Sequence, residues 1–238
     1  MTINISLVLP CYNEEQNIPL LCKEFLEIPF GDYEAELILV NNGSQDNTKY
    51  EIEKIIKKNN HSNIKINIVN LKKNLGYGGG ISEGLKIAKG EYIGWAHADL
   101  QTPLKDFFKL FQKIKNEKNI LGKGYRTNNR GFDGIVSRFH ENLASLILGF
   151  KMEEINAQPK IFNKELMENF LDMPYKWTVL DTYVVYKCLK KGVKIKTIDV
   201  VFNARKYGKS KWKNNFITFI SHIFFNLLYL FKLRFSKK

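Results

Sequence analysis

A short polar segment in the first half of the chain carries residues that could bind a metal ion and a phosphate. It follows an apolar run that ends at Ala96, and it reads HADLQ over residues 97–101. Asp99 offers a hard anionic oxygen and Gln101 lies on the same side of an extended segment, which suits Mg²⁺ or Mn²⁺ held between protein and a diphosphate. A lone acidic residue in a loop is more often a turn or capping residue, so the neighbouring loops must decide between these interpretations.

A glycine-rich segment and a basic segment add phosphate-binding chemistry. The pattern Gly76-x-Gly78 would need a third glycine where Ile81 stands, and it follows the third predicted strand and not the first, which argues against a Rossmann dehydrogenase. The glycines indicate instead a close approach of the backbone to a base or phosphate, with a flexible loop as the alternative. Residues 205–211 place four basic side chains around a glycine and a serine, which suits phosphate; a solvated basic surface is the alternative.

Strand-like and helix-like patterns alternate along the chain. Apolar runs predict strands over residues 3–10, 35–42, 64–71 and 91–96, and helical spacing predicts helices between them over residues 17–28, 47–59 and 80–90. The apolar positions of the second helix are Tyr50, Ile52, Ile55 and Ile56. Strands that are apolar throughout and separated by helices predict a mostly parallel sheet with helices on both faces. In such a sheet the ligand site lies outside the carboxyl ends of the strands, where all the polar loops follow.

The rest of the chain continues the alternation. We expect a helix over residues 106–116, a strand over 120–125 and a polar loop over 126–134. Helices are then predicted over residues 135–150 and 181–192, with one or two strands over 193–205.

Composition and charge narrow the function classes. The 238 residues are 44% hydrophobic and 26% charged, as expected of a globular protein, and three scattered cysteines favour a reducing compartment. The net charge is +13, and residues 200–238 contain no Asp or Glu. This basic end could bind RNA, an anionic substrate or an anionic membrane surface, or it could be a solvent-exposed surface without a ligand.

Residues 216–235 form the most apolar stretch and predict an amphipathic C-terminal helix. Its uninterrupted apolar length falls short of the ~20 residues of a spanning helix, so an interfacial helix is favoured. Packing on the domain core or on a second subunit is the alternative. We therefore divide the chain into one main domain, residues 1–213, and this helix, within residues 214–238.

Several motifs occur together and in a characteristic order. They are LVLPCYNEEQNIPLL, ELILVNNGSQDNT, NLGYGGGISEGLKIAKGEYIGWAHADLQTP and RKYGKSKW. Together they resemble the inverting family 2 glycosyltransferases, in the branch of dolichol-phosphate mannose synthase and bacterial polyprenyl-phosphate glycosyltransferases. The resemblance runs from about Ile5 to Trp212. It implies the GT-A nucleotide-sugar fold, an α/β architecture.

The resemblance implies roles for the matching positions. Those expected at the nucleotide are Pro10, Tyr12, Asn13, Glu14, Asn41, Asn42, Asn74, Gly76, Gly80, Gly84 and His97. Asp99 and Gln101 are expected to hold Mg²⁺ or Mn²⁺. Catalytic roles fall on Asp99, Asp181, Arg205 and Lys211, and contacts to the acceptor or its phosphate fall on Gln158, Ser210 and Lys211.

The chain departs from the family pattern at a few positions. VNNGS replaces VDDGS, and His97 replaces the first Asp of the Asp-x-Asp, which predicts weaker metal binding. Glu154 stands for an Asp, and Gln158-Pro159 stands for Gly-Phe near the expected acceptor.

The predicted function is inverting transfer of a sugar from a nucleotide-diphosphate sugar. The acceptor would be a polyprenyl phosphate, which needs no general base, or a glycan hydroxyl, for which Asp181 would be the base. We expect a cytoplasmic enzyme at the inner face of the cell membrane, with peripheral membrane contact and no nucleic-acid partner. The alternatives are a non-catalytic nucleotide-sugar-binding protein and an RNA-binding protein.

Overall fold

A seven-stranded sheet forms the centre of the computed structural model, which describes residues 3–168, 179–207 and 216–236. Its order is β3-β2-β1-β4-β6-β5-β7, and β6 alone runs antiparallel to its neighbours. The strands are β1 (Ile5–Cys11), β2 (Ala35–Asn42), β3 (Ile64–Leu71), β4 (Tyr92–Trp95), β5 (Ile120–Arg126), β6 (Lys160–Asn163) and β7 (Lys194–Val200).

Helices cover both faces of the sheet, because the strands are apolar on both sides. The helices are α1 (Ile18–Leu26), α2 (Thr48–Lys58), α3 (Gly76–Ile87), α4 (Lys105–Ile114), α5 (Phe132–Leu148), α6 (Lys164–Met167), α7 (Val179–Lys190) and α8 (Phe216–Phe235). Leu7 and Leu9 of β1 join the core under α1, α2 and α4, whereas Val8 joins the core under α3, α5, α7 and α8. The expectation of a mostly parallel α/β sheet with helices on both faces is confirmed.

Helix α3 differs from its predicted form, since it begins at Gly76 and not at Gly80. The glycines therefore form the first turn of a helix and not a flexible loop. A Cβ built on Gly84 would lie 2.3 Å from Val8 Cγ1 and 2.9 Å from Val40 Cγ2. Glycine is needed at position 84 because the helix packs so closely on β1 and β2, a packing role that the motif alone did not reveal.

One helix position and one helix boundary differ from what the sequence patterns indicated. Tyr50, one of the apolar positions of the second predicted helix, is 61% exposed, whereas Ile52 of the same helix is fully buried. Helix α5 begins at Phe132, inside the segment predicted to be a loop.

Helix α8 has the bounds that the sequence predicts and packs on α5. Leu230 and Leu233 are buried in the same core cluster as Leu148, and Arg234 Nη1 donates to the Leu148 carbonyl at 3.2 Å. None of the helices within the described ranges is both long enough and apolar enough to cross a membrane. The boundary between residues 213 and 214 lies outside the described residues and stays a prediction.

Candidate functional site

The loops after β1 and β2 are joined at the carboxyl edge of the sheet by polar contacts. The Asn13 backbone N–H donates to Ser44 Oγ at 3.1 Å, and Asn13 Oδ1 accepts from the Gln45 N–H at 2.9 Å. The Glu14 N–H donates to Thr48 Oγ1 at 2.8 Å. Asn13 has a φ of 57°, in the left-handed region that asparagine tolerates. Asn13 and Glu14, two of the predicted nucleotide residues, are thus held in a fixed turn after β1.

Asn41 and Asn42 end β2 and connect it to the next loops. Asn42 Nδ2 donates to the Gly76 carbonyl at 2.9 Å, and its Oδ1 accepts from the Leu75 N–H at 2.9 Å. Asn41 Nδ2 donates to Asn70 Oδ1 at 3.0 Å. Both side chains are buried. The amides therefore position the β3–α3 loop, and their predicted contact with a base stays a prediction.

The start of α3 lies against the ends of β1 and β2. A Cβ at Gly80 would stand 3.0 Å from Pro10 Cβ and 3.1 Å from Asn42 Nδ2. Gly76 donates its N–H to Asn74 Oδ1 at 2.7 Å. These contacts bring Pro10, Asn42, Asn74 and the first glycines together, as the motifs predicted.

Asp99 and Gln101 share one cationic partner, Arg205. Arg205 Nη2 lies 2.8 Å from Asp99 Oδ2, and Arg205 Nε donates to Gln101 Oε1 at 3.2 Å. Asp99 is buried, and its Oδ1 accepts the Gln101 N–H at 3.2 Å. Two hard oxygen donors that converge on one cation fit a divalent ion whose other ligands would be diphosphate and water oxygens.

A buried network of polar side chains lies beside these residues. Lys160 Nζ pairs with Asp181 Oδ1 at 2.7 Å, and both side chains are nearly inaccessible to solvent. Gln158 Nε2 donates to the same Asp181 oxygen at 3.1 Å and to Tyr77 Oη at 2.8 Å. The chain of contacts links α3, β6 and α7, three elements that are far apart in sequence.

Burial sets the protonation of His97 and Glu14. Burial lowers the pKa of His97, although the carboxylates of Asp99 and Asp181 oppose the effect, so the imidazole is neutral near pH 7. The ring packs edge-on against Tyr77, with centroids 5.4 Å apart. Burial also raises the pKa of Glu14 from 4.5 to about 7, with a further increase from Asp99. Glu14 is thus electrostatically coupled to the predicted metal site.

Glu154, which replaces the family's Asp, belongs to a separate group of ion pairs. Its side chain contacts Arg126 Nε, and its Oε1 lies 3.5 Å from Arg130 Nη2. Glu141 Oε1 lies 4.0 Å from Arg126 Nη2. These pairs connect β5 and α5 to the loop before β6.

The structure brings most of the predicted site residues to one edge of the sheet, with Gly84 one turn deeper against the core. Ser210 and Lys211 lie outside the described residues, so their predicted roles stay predictions. Sequence reasoning missed Tyr77 and Lys160. Lys160 had a usable signal, because a lysine inside an apolar strand requires a buried counter-charge. Tyr77 had none beyond its place in the glycine segment.

Comparison with known proteins agrees with this architecture. The family model described as Glycosyl transferase family 2 matches residues 6–183. Dodecaprenyl-phosphate galacturonate synthase from Rhizobium johnstonii is 26% identical over 217 residues, which cover 89% of this chain and 62% of the relative. Undecaprenyl-phosphate 4-deoxy-4-formamido-L-arabinose transferase from Proteus mirabilis is 25% identical over 216 residues, 87% of this chain and 62% of the relative. The chain thus spans about three fifths of the length of these relatives.

A solved structure shares the fold. A mannosyltransferase from Pyrobaculum calidifontis, solved in complex with GDP-Man and Mn²⁺, superposes with a TM-score of 0.70 at 18% identity. The match covers 100% of this chain and 66% of that protein. At this identity the likeness shows the fold, and it confirms the expected GT-A architecture.

Proposed function

Since this chain belongs to glycosyltransferase family 2, we propose that it transfers a sugar from a nucleotide-diphosphate sugar to a polyprenyl phosphate, with inversion at the anomeric carbon. The two relatives described above carry names that specify polyprenyl-phosphate acceptors, which supports this acceptor class. Mg²⁺ or Mn²⁺ would assist, as the Mn²⁺ in the mannosyltransferase complex suggests.

The choice of acceptor rests on the contacts and the burial of the Asp181 carboxylate. Its Oδ1 already accepts from Lys160 and Gln158, and the side chain is almost completely buried. A carboxylate held by a buried ammonium is a poor general base, because removing a proton from an acceptor would leave the lysine unpaired. A phosphate acceptor is already anionic and needs no base, so the arrangement favours a lipid phosphate over a sugar hydroxyl.

On the donor side, the chain's own residues would orient and neutralise the leaving group. Asp99 and Gln101 would hold the divalent ion, whose chemistry when bound is to stabilise charge on the leaving diphosphate. Arg205 is close enough to these groups to add a second positive charge to the phosphates. Neutral His97, two residues before Asp99, is a candidate contact for the ribose.

Contact with an anionic membrane at the inner face would bring the lipid acceptor to the site. Helices α5 and α8 pack together, and both carry exposed large apolar side chains, which we assign to one membrane-facing surface; they are Phe132, Ile135, Phe139, Leu146, Phe224, Phe225, Leu228, Phe231 and Phe235. Helix α8 also carries Lys232 and Arg234 in its last turn and has no acidic residue. Apolar side chains flanked by basic ones suit the surface of an anionic bilayer.

The donor and the reaction can be tested together. Thermal shifts against a panel of nucleotide-diphosphate sugars, with and without Mn²⁺, would identify the donor, since a ligand at a hundredfold excess over its Kd stabilises by about 2.7 kcal/mol. Transfer to a short polyprenyl phosphate would then be measured for wild type, Asp99→Ala and the exposed control Asp199→Ala. We expect loss of transfer only in Asp99→Ala. Binding without transfer to any acceptor would instead support a non-catalytic nucleotide-sugar-binding protein.

The acceptor class has its own test. Asp181→Asn should keep transfer to polyprenyl phosphate within about tenfold of wild type, whereas loss of a true general base costs about 10²–10⁴-fold. Because the variant leaves Lys160 unpaired, its rate is referred to the folded fraction measured by circular dichroism. A larger loss, with a pH–rate profile that loses its acidic limb, would establish Asp181 as the base.

Membrane contact is tested by vesicle flotation. Phe139→Ser and Leu146→Ser should weaken binding to vesicles that contain phosphatidylglycerol, because these side chains are 66% and 81% exposed on the proposed face. Tyr50→Ser, a change at a similarly exposed aromatic on α2, is the control. Equal binding by all variants would contradict the proposed surface.

A further inference from the structure

Arg205 engages both side chains that the proposed metal would use. Its Nη2 lies 2.8 Å from Asp99 Oδ2, and its Nε donates to Gln101 Oε1 at 3.2 Å. One guanidinium therefore spans the two oxygens. The Arg205 side chain is 32% exposed while that of Asp99 is 6% exposed, so the arginine approaches a buried carboxylate from the solvent side.

The segment that carries Arg205 has a separate attachment to the same loop. The Asn203 N–H donates to the Gln101 carbonyl at 2.7 Å, and Gln101 Nε2 donates to the Asn203 carbonyl at 2.9 Å. These bonds do not involve the guanidinium. Arg205 can therefore leave Asp99 while residue 203 stays attached to the loop.

A divalent ion and the guanidinium cannot both hold these oxygens in this way. An Mg²⁺ or Mn²⁺ ion would lie about 2.1 Å from a carboxylate oxygen, and Arg205 Nη2 already lies 2.8 Å from Asp99 Oδ2. Two cations would then be only a few ångströms apart in a partly buried place, where like charges repel strongly. Binding of one requires the other to move.

We infer that Arg205 is the internal counter-cation of the Asp99–Gln101 pair, and that a divalent ion binds there by displacing it toward the substrate phosphates. The inference rests on the proposed function for the assignment of the metal to Asp99 and Gln101. The exchange keeps the buried Asp99 carboxylate paired with a cation throughout, which avoids the cost of an unpaired buried charge. The exchange also couples metal binding to the release of Arg205, whose guanidinium would then bind the substrate phosphates.

The test measures the affinity for Mn²⁺ alone by electron paramagnetic resonance, without nucleotide or acceptor. Arg205→Gln should bind Mn²⁺ about fivefold more tightly than wild type, since a partly exposed ion pair of this kind contributes about that factor. Lys206→Gln removes the same charge from the next, exposed residue and should stay within about twofold of wild type. Arg205→Lys should fall between wild type and Arg205→Gln, because an ammonium cannot span both oxygens as the guanidinium fork does.

One further variant and two contrary outcomes make the result decisive. Adding Asp99→Asn to Arg205→Gln should abolish the gained affinity, which would place the ion at Asp99. Equal or weaker Mn²⁺ binding by Arg205→Gln, or an equal gain in Lys206→Gln, would overturn the exchange and leave the proposed function intact. If no variant binds Mn²⁺ even with a nucleoside diphosphate, the exchange and the metal role in the proposed function both fail.

Discussion

Replacing Glu14 with Gln should stabilise the protein at neutral and alkaline pH. Burial, with help from Asp99, raises the pKa of Glu14 from 4.5 to about 7. Each unit of pKa difference between the folded and unfolded states corresponds to about 1.4 kcal/mol, so ionised Glu14 costs the folded state about 3 kcal/mol. Because Glu14 is only partly buried, solvent screening reduces the expected effect to about 2 kcal/mol.

The sign of the pH dependence follows from the raised pKa of Glu14. Below pH 4.5 the carboxyl is protonated in both states and carries no penalty. Between pH 4.5 and about 7 the unfolded chain loses the proton first, so wild type loses stability, and above about pH 7 the penalty is constant. Gln cannot ionise, and its oxygen can still accept the bond that Asn17 Nδ2 donates to Glu14 Oε2.

Urea unfolding of wild type and Glu14→Gln between pH 5 and pH 8 measures the effect. The difference in the free energy of unfolding should grow across this range and level off near pH 8. Glu27→Gln, a change at a 66% exposed carboxylate after the other end of α1, is the control and should change the free energy of unfolding by no more than a few tenths of a kcal/mol. A Glu14→Gln difference that is the same at pH 5 and pH 8 would refute the argument from burial.

Three other changes test the packing and the charges of the site. Lys160→Met should lower the free energy of unfolding by about 3–5 kcal/mol in urea, because it leaves the Asp181 carboxylate buried without its counter-charge; recovery in the double variant with Asp181→Leu would confirm that reason, and no recovery would contradict it. Gly84→Ala should cost about 1–3 kcal/mol because its Cβ would overlap Val8, and Val8→Ala should return part of the loss; an additive double variant would exclude this clash. His97→Asp should tighten Mn²⁺ binding by adding a second carboxylate, and an unchanged affinity in a titration would count against the predicted weakness of the natural site.

The fold could be read from the sequence because its signals are local. β3 and α8 have the bounds that their patterns predicted, since an apolar strand and an apolar helix are recognisable from consecutive residues. The beginning of α3 was misplaced, because four glycines within residues 76–80 have low helix propensity and only packing against β1 and β2 makes them helical. The exposure of Tyr50 does not follow from the sequence, because helical spacing does not tell which edge of an apolar stripe faces water.

By itself the sequence determined the fold class, the edge of the sheet where the site lies and the residue types that could bind a nucleotide and a metal. Parallel strands end at one edge, so the order of the motifs was enough to predict that their loops meet. Only the tertiary structure decided how those side chains are paired. Asp181 forms an ion pair with Lys160, and Asp99 forms one with Arg205. The partners are too far apart in sequence for a local pattern to predict either pair. The pairing matters because a buried charge takes its protonation and its reactivity from the neighbours that the fold brings to it.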